Sequence, residues 1–342
     1  MPGRTRASRL PRSDVDPFRE TQHAPARGVA NEGRMGSAVS LSPNSASPVV
    51  ELSSATKRYG RVEALRGVSL TIRTGEIVAM LGPNGAGKTT SISLMLGLRQ
   101  PTGGLVRLFG LPPTDRRARS RAGVMLQESG TTGVLTVREL VELFSTYYPS
   151  PLPPGQAIAM AGLDDKADAR VATLSGGQRQ RLYFALAICG NPEVLFLDEP
   201  TVGMDVEARR AFVASTQALA TAGKTIVFTT HYLKEAEELA RRIIVVDHGL
   251  VIADAAPREL MARVAAKRVS FAVSGSLPAE ALSGLAVAAL DVGNGRVRFL
   301  TNEPEVVLRT LFERRVPLED LEVAGADLEE AVLSLTRRGD QA

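Results

Sequence analysis

Gly82, Pro83, Asn84, Gly85, Ala86, Gly87, Lys88 and Thr89 follow the pattern G-x-x-x-x-G-K-[ST], between an apolar run at 77–81 and a helical pattern that starts at Gly87. No other feature of the chain restricts its fold so tightly, because the pattern needs a buried strand before it and a helix after it. Glycines let successive backbone N–H groups turn toward one phosphate cluster, and the helix start adds its dipole. Lys88 can then reach the outer phosphates and the Thr89 hydroxyl can ligate Mg²⁺, with Thr90 next in the helix. A glycine-rich turn formed by chance is the competing reading, and it explains neither the lysine nor the flanking elements.

A second apolar run, 194–197, ends in Asp198, Glu199 and Pro200. A central parallel strand is buried on both faces, so acids at its end emerge at the carboxyl edge, where such sheets bind ligands. Asp198 is placed to hold Mg²⁺ through water, and Glu199 to orient or deprotonate an attacking water. The blander alternative is a turn that merely begins with two acids. Strand-like runs fall at 49–56, 68–72, 76–81, 105–109, 123–127, 194–197, 225–229, 242–247 and 250–253, and helical patterns at 87–98, 136–147, 177–190, 205–221 and 232–240. This alternation predicts a layered α/β domain with a largely parallel sheet. Thr136 with Glu139, and Ser175 with Gln178, have the spacing of capping boxes. Proline-rich residues 149–155 cannot lie inside a helix and are expected to form an exposed connection.

Composition sets the outer limits. The 342 residues suit about two domains. The single cysteine, Cys189, excludes an internal disulfide framework and fits a reducing compartment. Apolar runs such as 226–228 and 243–246 are far short of the ~18 residues needed to span a bilayer. Formal charge is +4, but residues 1–48 hold seven arginines against four acids, so the rest of the chain carries only +1. That segment, rich in Pro, Gly and Ser, reads as a disordered basic tail. It lacks the apolar centre of a secretory signal, and Asp14, Asp16 and Glu20 argue against a transit peptide. A second reading starts translation at Met35. After Pro257 a third texture begins, with strand-like 268–273 and 296–300 and helix-like 304–314 and 327–336, which predicts a small α/β appendage over 257–342.

Leu174, Ser175, Gly176, Gly177, Gln178, Arg179, Gln180 and Arg181 form a helix start with free amides and a hydroxyl. Alone, this is only a capping box. As a full string it resembles the signature of ATP-binding cassette (ABC) ATPases, and the other motifs occur in that family's order, with Tyr59 upstream, Gln127 after a strand, Gly203 to Asp205 after Glu199, and His231 after a later strand. The match runs over 49–256. The resemblance implies a P-loop NTPase domain with a mostly parallel core, an antiparallel N-terminal β part and a helical subdomain at about 128–176.

It also implies roles. ATP would be bound by Gly82 to Thr90 and stacked on Tyr59. Thr89, Gln127 and Asp198 would serve Mg²⁺, Glu199 would be the catalytic carboxylate, and Gln127 and His231 would contact the attacking water and γ-phosphate. Ser175, Gly176, Gly177, Gln178 and Asp205 would belong to the site of an opposing subunit, so that ATP is capped only when two subunits close and exclude water. Val202, Gly203, Met204 and Asp205 depart from the family's commoner Ser-Gly-Leu-Asp wording but keep its aspartate. One motif set per chain calls for a second ATPase subunit, with a homodimer favoured because both half-sites look intact.

Residues 123–128, 135–142, 190–193 and 327–336 look like the ATPases of ABC-2-type exporters of the daunorubicin-resistance group. Those subunits sit peripherally on the cytoplasmic face of the membrane through a separately encoded permease, and export drugs, antibiotics or lipids. The rivals are the ATPase of an importer and a soluble ABC protein acting on ribosomes or nucleic acid. The second usually fuses two cassettes or inserts a long coiled coil, and a core charge of +1 gives no support for a nucleic-acid groove. Among the remaining residues, Arg116, Arg117, Arg119 and Arg121 read as a solvated face or, as the minority reading, a lipid contact. His248 reads as a turn residue and Cys189 as an inert buried thiol. No residue reports the transported molecule or the role of 257–342.

Overall fold

The computed structural model describes residues 47–126, 133–263, 267–273, 281–293, 295–325 and 327–339. Residues 1–46 of the expected basic tail lie outside them, and its last residue, Pro48, already opens the first strand. In chain order the elements are β1 (Pro48–Tyr59), β2 (Val62–Arg73), β3 (Ile77–Leu81), α1 (Lys88–Met95), β4 (Gly103–Leu108), the short α2 (Arg116–Arg119), β5 (Ala122–Met125), α3 (Val137–Ser145), α4 (Pro154–Met160), α5 (Gly176–Ile188), β6 (Val194–Asp198), α6 (Val206–Thr221), β7 (Thr225–Thr229), α7 (Leu233–Leu239), β8 (Arg242–Asp247) and β9 (Leu250–Ala255). They continue with α8 (Pro257–Arg263), β10 (Lys267–Ala272), β11 (Ala288–Gly293), β12 (Arg296–Thr301), α9 (Pro304–Glu313), β13 (Glu319–Gly325) and α10 (Leu328–Gly339).

The fold is mixed α/β. Its centre is a six-stranded sheet of order β5-β6-β7-β3-β8-β9, parallel except for the antiparallel edge strand β9. Every residue of β3, β6 and β7 is buried, which is why those strands read as unbroken apolar runs. Alternate residues face opposite layers. Val78, Met80, Phe196, Val227 and Ile244 pack with α1 and with the antiparallel sheet β2-β1-β4, while Ala79, Leu81, Leu195, Leu197, Ile226 and Phe228 pack with α3 to α7. At the amino edge, Arg242 donates to the Thr71 carbonyl at 2.8 Å, to Glu76 at 2.9 Å and to both Asp254 carboxylate oxygens at 2.7 Å, joining β2, β8 and β9.

Both predicted capping boxes form. Thr136 and Glu139 cap α3, and Ser175 and Gln178 cap α5, each pair exchanging backbone-to-side-chain hydrogen bonds. Boundaries shift where turn chemistry overrides periodicity. The first helix ends at Met95 rather than 98, since Gly97 takes φ +65 and an added Cβ would lie 2.8 Å from the Pro113 backbone. The proline-rich connection extends only to Pro153, and Pro154 begins α4, a position where its missing N–H costs nothing.

The C-terminal residues form a second antiparallel sheet, β11-β12-β10-β13, with α9 on one face. Val269, Phe271, Val297 and Phe299 meet Val307 and Leu311 in a core of their own. The helix α10 belongs elsewhere. Leu328 and Val332 enter the main core with Leu260 of α8, and the Leu328 N–H donates to Glu237 of α7 at 3.0 Å. Asp327 and Glu330 form a reciprocal cap at the start of α10, and Arg268 of β10 pairs with Asp327. Among the described residues no helix is long and apolar enough to cross a membrane.

Truncating the fully buried Leu328 to alanine is expected to cost about 2–5 kcal/mol. Urea unfolding should show the lowered midpoint; an unchanged midpoint would mean that α10 is not docked in the core.

Candidate functional site

The glycine-rich turn connects β3 to α1 at the carboxyl edge of the parallel sheet. Gly82 has φ +145, and a Cβ there would fall 1.9 Å from the Val246 carbonyl oxygen, so only glycine fits. Gly87 caps α1 in a left-handed conformation, with a would-be Cβ 2.7 Å from the Ala64 carbonyl oxygen. The main chain is thereby wedged between β8 and β2, and the first N–H groups of α1, as at any helix start, have no partner within the helix. Lys88 curls over this turn and donates to the Gly82 and Pro83 carbonyls at 2.8 and 3.1 Å. Burial lowers its pKa, against the opposing pull of Glu199 and Asp198.

Beside the turn is a cleft of about 400 Å³ lined by Asn84, Gly85, Gly87, Lys88, Thr89, Thr90, Glu199 and His231. Residues of the glycine-rich turn and the acid and histidine expected to act in catalysis, distant in sequence, therefore face one space. Gly82, Pro83 and Ala86 shape the turn without lining the cleft.

The acids are held by the neighbouring strand. Asp198 and Thr229 are register partners at the ends of β6 and β7. The buried Thr229 hydroxyl donates to Asp198 Oδ1 at 2.6 Å and accepts the Glu199 N–H at 2.9 Å. Asp198 Oδ2 is buried and has no hydrogen-bond partner among the described residues. Glu199 adopts φ +52, a left-handed conformation that costs a non-glycine residue roughly 1–2 kcal/mol. Its Oε2 accepts the His231 N–H at 3.2 Å, and its Oε1 lies 3.0 Å from His231 Nε2. Burial raises the Glu199 pKa, while His231 and Lys88 pull it down. Immediately behind, Thr230 donates to the buried Glu235 at 2.8 Å and accepts the Tyr232 N–H at 2.9 Å, which shapes the turn that carries His231.

Other predicted residues lie apart from the cleft. Ser175 to Gln178 cap α5, and Gly177 faces the 203–204 turn, with its would-be Cβ 3.5 Å from the Gly203 carbonyl oxygen. Asp205 caps α6 by accepting the Ala208 N–H at 2.8 Å. None of these residues lines this chain's own cleft. Tyr59, half-exposed at the β1–β2 turn, has Lys57 Nζ 5.0 Å from its ring centre and does not line the cleft. Gln127 lies outside the described residues.

Three of the four clustered arginines are spent on the protein itself. Arg117 pairs with Asp115, Arg119 donates to the Pro113 and Gly97 carbonyls, and Arg121 pairs with Glu193 while stacking on Phe109. Two of the four are matched by acids, while Arg119 keeps its charge because its partners are neutral carbonyls. His248 sits in the β8–β9 turn, and Cys189 is fully buried, with burial raising its pKa. The buried Thr229 was missed as a site residue; the only signal in the sequence was a hydroxyl pair directly before the histidine.

Residues 65–202 match the family described as ABC transporter. Among curated proteins, Nod factor export ATP-binding protein I of Burkholderia orbicola (strain AU 1054) is 40% identical over 219 residues, covering 62% of this chain and 72% of that protein. The protein of the same description from Sinorhizobium fredii (strain NBRC 101917 / NGR234) is 38% identical over 231 residues, covering 65% and 67%. Among solved structures, a dimeric bacterial ABC transporter cassette aligns with TM-score 0.57 at 29% identity, covering 60% of this chain and 98% of that one. A post-hydrolysis dimer of that cassette, bound to ADP and Pi, aligns with TM-score 0.56 and the same coverage.

The raised pKa of Glu199 has a thermodynamic consequence. A carboxyl whose folded pKa exceeds its unfolded value favours folding when protonated and loses that contribution as pH rises through the folded pKa. Glu199→Gln should therefore raise Tm relative to wild type more at pH 8 than at pH 5, measured by differential scanning calorimetry; a pH-independent difference would contradict the burial penalty.

Proposed function

The chain belongs to the ATP-binding subunits of ABC transporters and is an ATP-hydrolysing subunit of exporter type, and from that membership we propose that it drives a separately encoded membrane permease of the ABC-2 type. The observation that carries the reading is the meeting of Lys88, Thr89, Glu199 and His231 on one cleft. Backbone N–H groups of the turn and the start of α1 receive the phosphates, and Lys88 exchanges its two carbonyl partners for phosphate oxygens. Glu199 is the base for the attacking water. Burial makes it more basic, and His231 holds both of its oxygens, which fixes the carboxylate's direction. As water is activated, His231 is placed to turn from Glu199 toward the γ-phosphate charge.

The residues suit a magnesium ion. Asp198 does not line the cleft, but it lies close enough for its charge to act on Lys88, and its Oδ2 is buried without a partner among the described residues; Thr89 lines the cleft, so an oxygen-ligand cation bound with ATP is proposed to lie between them. Such an ion neutralises phosphate charge as it develops. Gln127 is proposed as its third neighbour.

Ser175 to Gln178 and Asp205 lie outside the cleft of their own chain, which supports a site completed by a second subunit. We propose a homodimer in which each signature helix start caps the other chain's ATP, with Tyr59 stacking on adenine. Closure excludes water, and hydrolysis removes the charge link that holds the pair together. The working assembly is then peripheral on the cytoplasmic face of the membrane through its permease. The named relatives are described by Nod factor export, and the cargo proposed for this chain is a drug, antibiotic or lipid.

Glu199→Gln is expected to lower kcat by about 100-fold or more while leaving ATP binding within about twofold, read by phosphate release and fluorescent-nucleotide titration. Near-normal turnover would remove Glu199 from this role. Hydrolysis rate per chain should rise with protein concentration through the range in which analytical ultracentrifugation shows the dimer dissociating. A flat rate across that range would argue against shared sites.

A further inference from the structure

Thr229 is set between the two acids of the site. It is fully buried at the end of β7, directly opposite Asp198 of β6, and its single hydroxyl serves both carboxylate residues. The O–H donates to Asp198 Oδ1 at 2.6 Å, a short charge-assisted bond, and its oxygen accepts the Glu199 N–H at 2.9 Å. Fixing Oδ1 on one side of the Asp198 carboxylate directs Oδ2, the buried oxygen without a partner among the described residues, the opposite way. Fixing the Glu199 N–H holds that residue at φ +52, a conformation glutamate leaves when nothing retains it. His231, two residues along the same strand end, then meets the Glu199 carboxylate through both its backbone N–H and Nε2. One hydroxyl thus sets the aim of the cation-binding acid and the backbone of the catalytic acid.

We propose that Thr229 is a positioning residue for ATP hydrolysis, acting through Asp198 and Glu199 by the two hydrogen bonds of its hydroxyl. It is fully buried and does not line the cleft, so its loss should reduce turnover and cation response while sparing the phosphate-binding turn. This rests on the roles given above to Asp198 and Glu199. Valine is the informative substitution, since it keeps the branched shape of threonine in the buried site and removes only the hydroxyl.

The full chain is assayed as wild type, T229V, T229S and E199Q. In T229V, kcat should fall about 10- to 100-fold with KM for ATP within about twofold, the scale seen when a group orienting a metal ligand is removed. Titration with a fluorescent ATP analogue, with and without Mg²⁺, should show that the gain in affinity from Mg²⁺ is smaller in T229V than in wild type. T229S, which keeps the hydroxyl and loses the methyl, should recover at least half of the wild-type kcat. If T229V does not accumulate as folded protein, T229C, of similar size and with a poor donor, replaces it with the same expectation. Wild-type kcat in T229V, or an equal loss in T229S, would overturn the proposal. An active E199Q would instead overturn the underlying reading of the acids, so the two failures are told apart.

Discussion

A parallel sheet covered on both faces has only its strand ends available for polar chemistry, and the residues that meet at the cleft obey that constraint. The strands β3, β6 and β7 are buried along their whole length. Charge can therefore emerge only where each chain leaves the sheet, and at the carboxyl edge three adjacent strands deliver the phosphate-binding turn, the acid pair and the histidine to one place. The order β6-β7-β3 matters. With β7 in the middle, its end can reach the acids on one side while the turn rises on the other.

That arrangement concentrates opposing demands in a small volume. Lys88 and Glu199 are both buried, and burial shifts each pKa toward its neutral form, while each partly restores the charge of the other. Their carbonyl and histidine contacts satisfy these groups in the described state, and in the proposed mechanism the lysine's contacts are the ones exchanged for phosphate oxygens. The left-handed backbone at Glu199 and the tight packing at Gly82 lie beside these contacts.

Much of this was legible in the sequence because the responsible physics is local. Both capping boxes, the glycine turn and the acid-ended strand depend on residues within a few positions of one another, and all formed as expected. Pairings across strands were harder. The Thr229 hydroxyl acts on residues about thirty positions away, and only register reveals it. The strand β13 escaped prediction because it is an edge strand, mostly exposed and acidic, with Glu319, Asp320 and Glu322 in place of an apolar alternation. The short helix α8 and strand β11 gave too few turns or apolar positions for periodicity to register. Nor could periodicity show that α10, which reads as part of the appendage, inserts Leu328 and Val332 into the ATPase core.

The docking of α10 also bears on the order in which the molecule is made. The phosphate turn, the acids and His231 have all been synthesised by residue 231, a little past two thirds of the chain. The hydrophobic layer beneath α7 is not complete until Leu328 and Val332 arrive, and between them the ribosome must deliver the whole C-terminal sheet. The nascent chain thus holds its nucleotide-binding groups well before it can finish the core behind them. Until those two side chains arrive, the apolar face beside α7 lacks the helix that covers it.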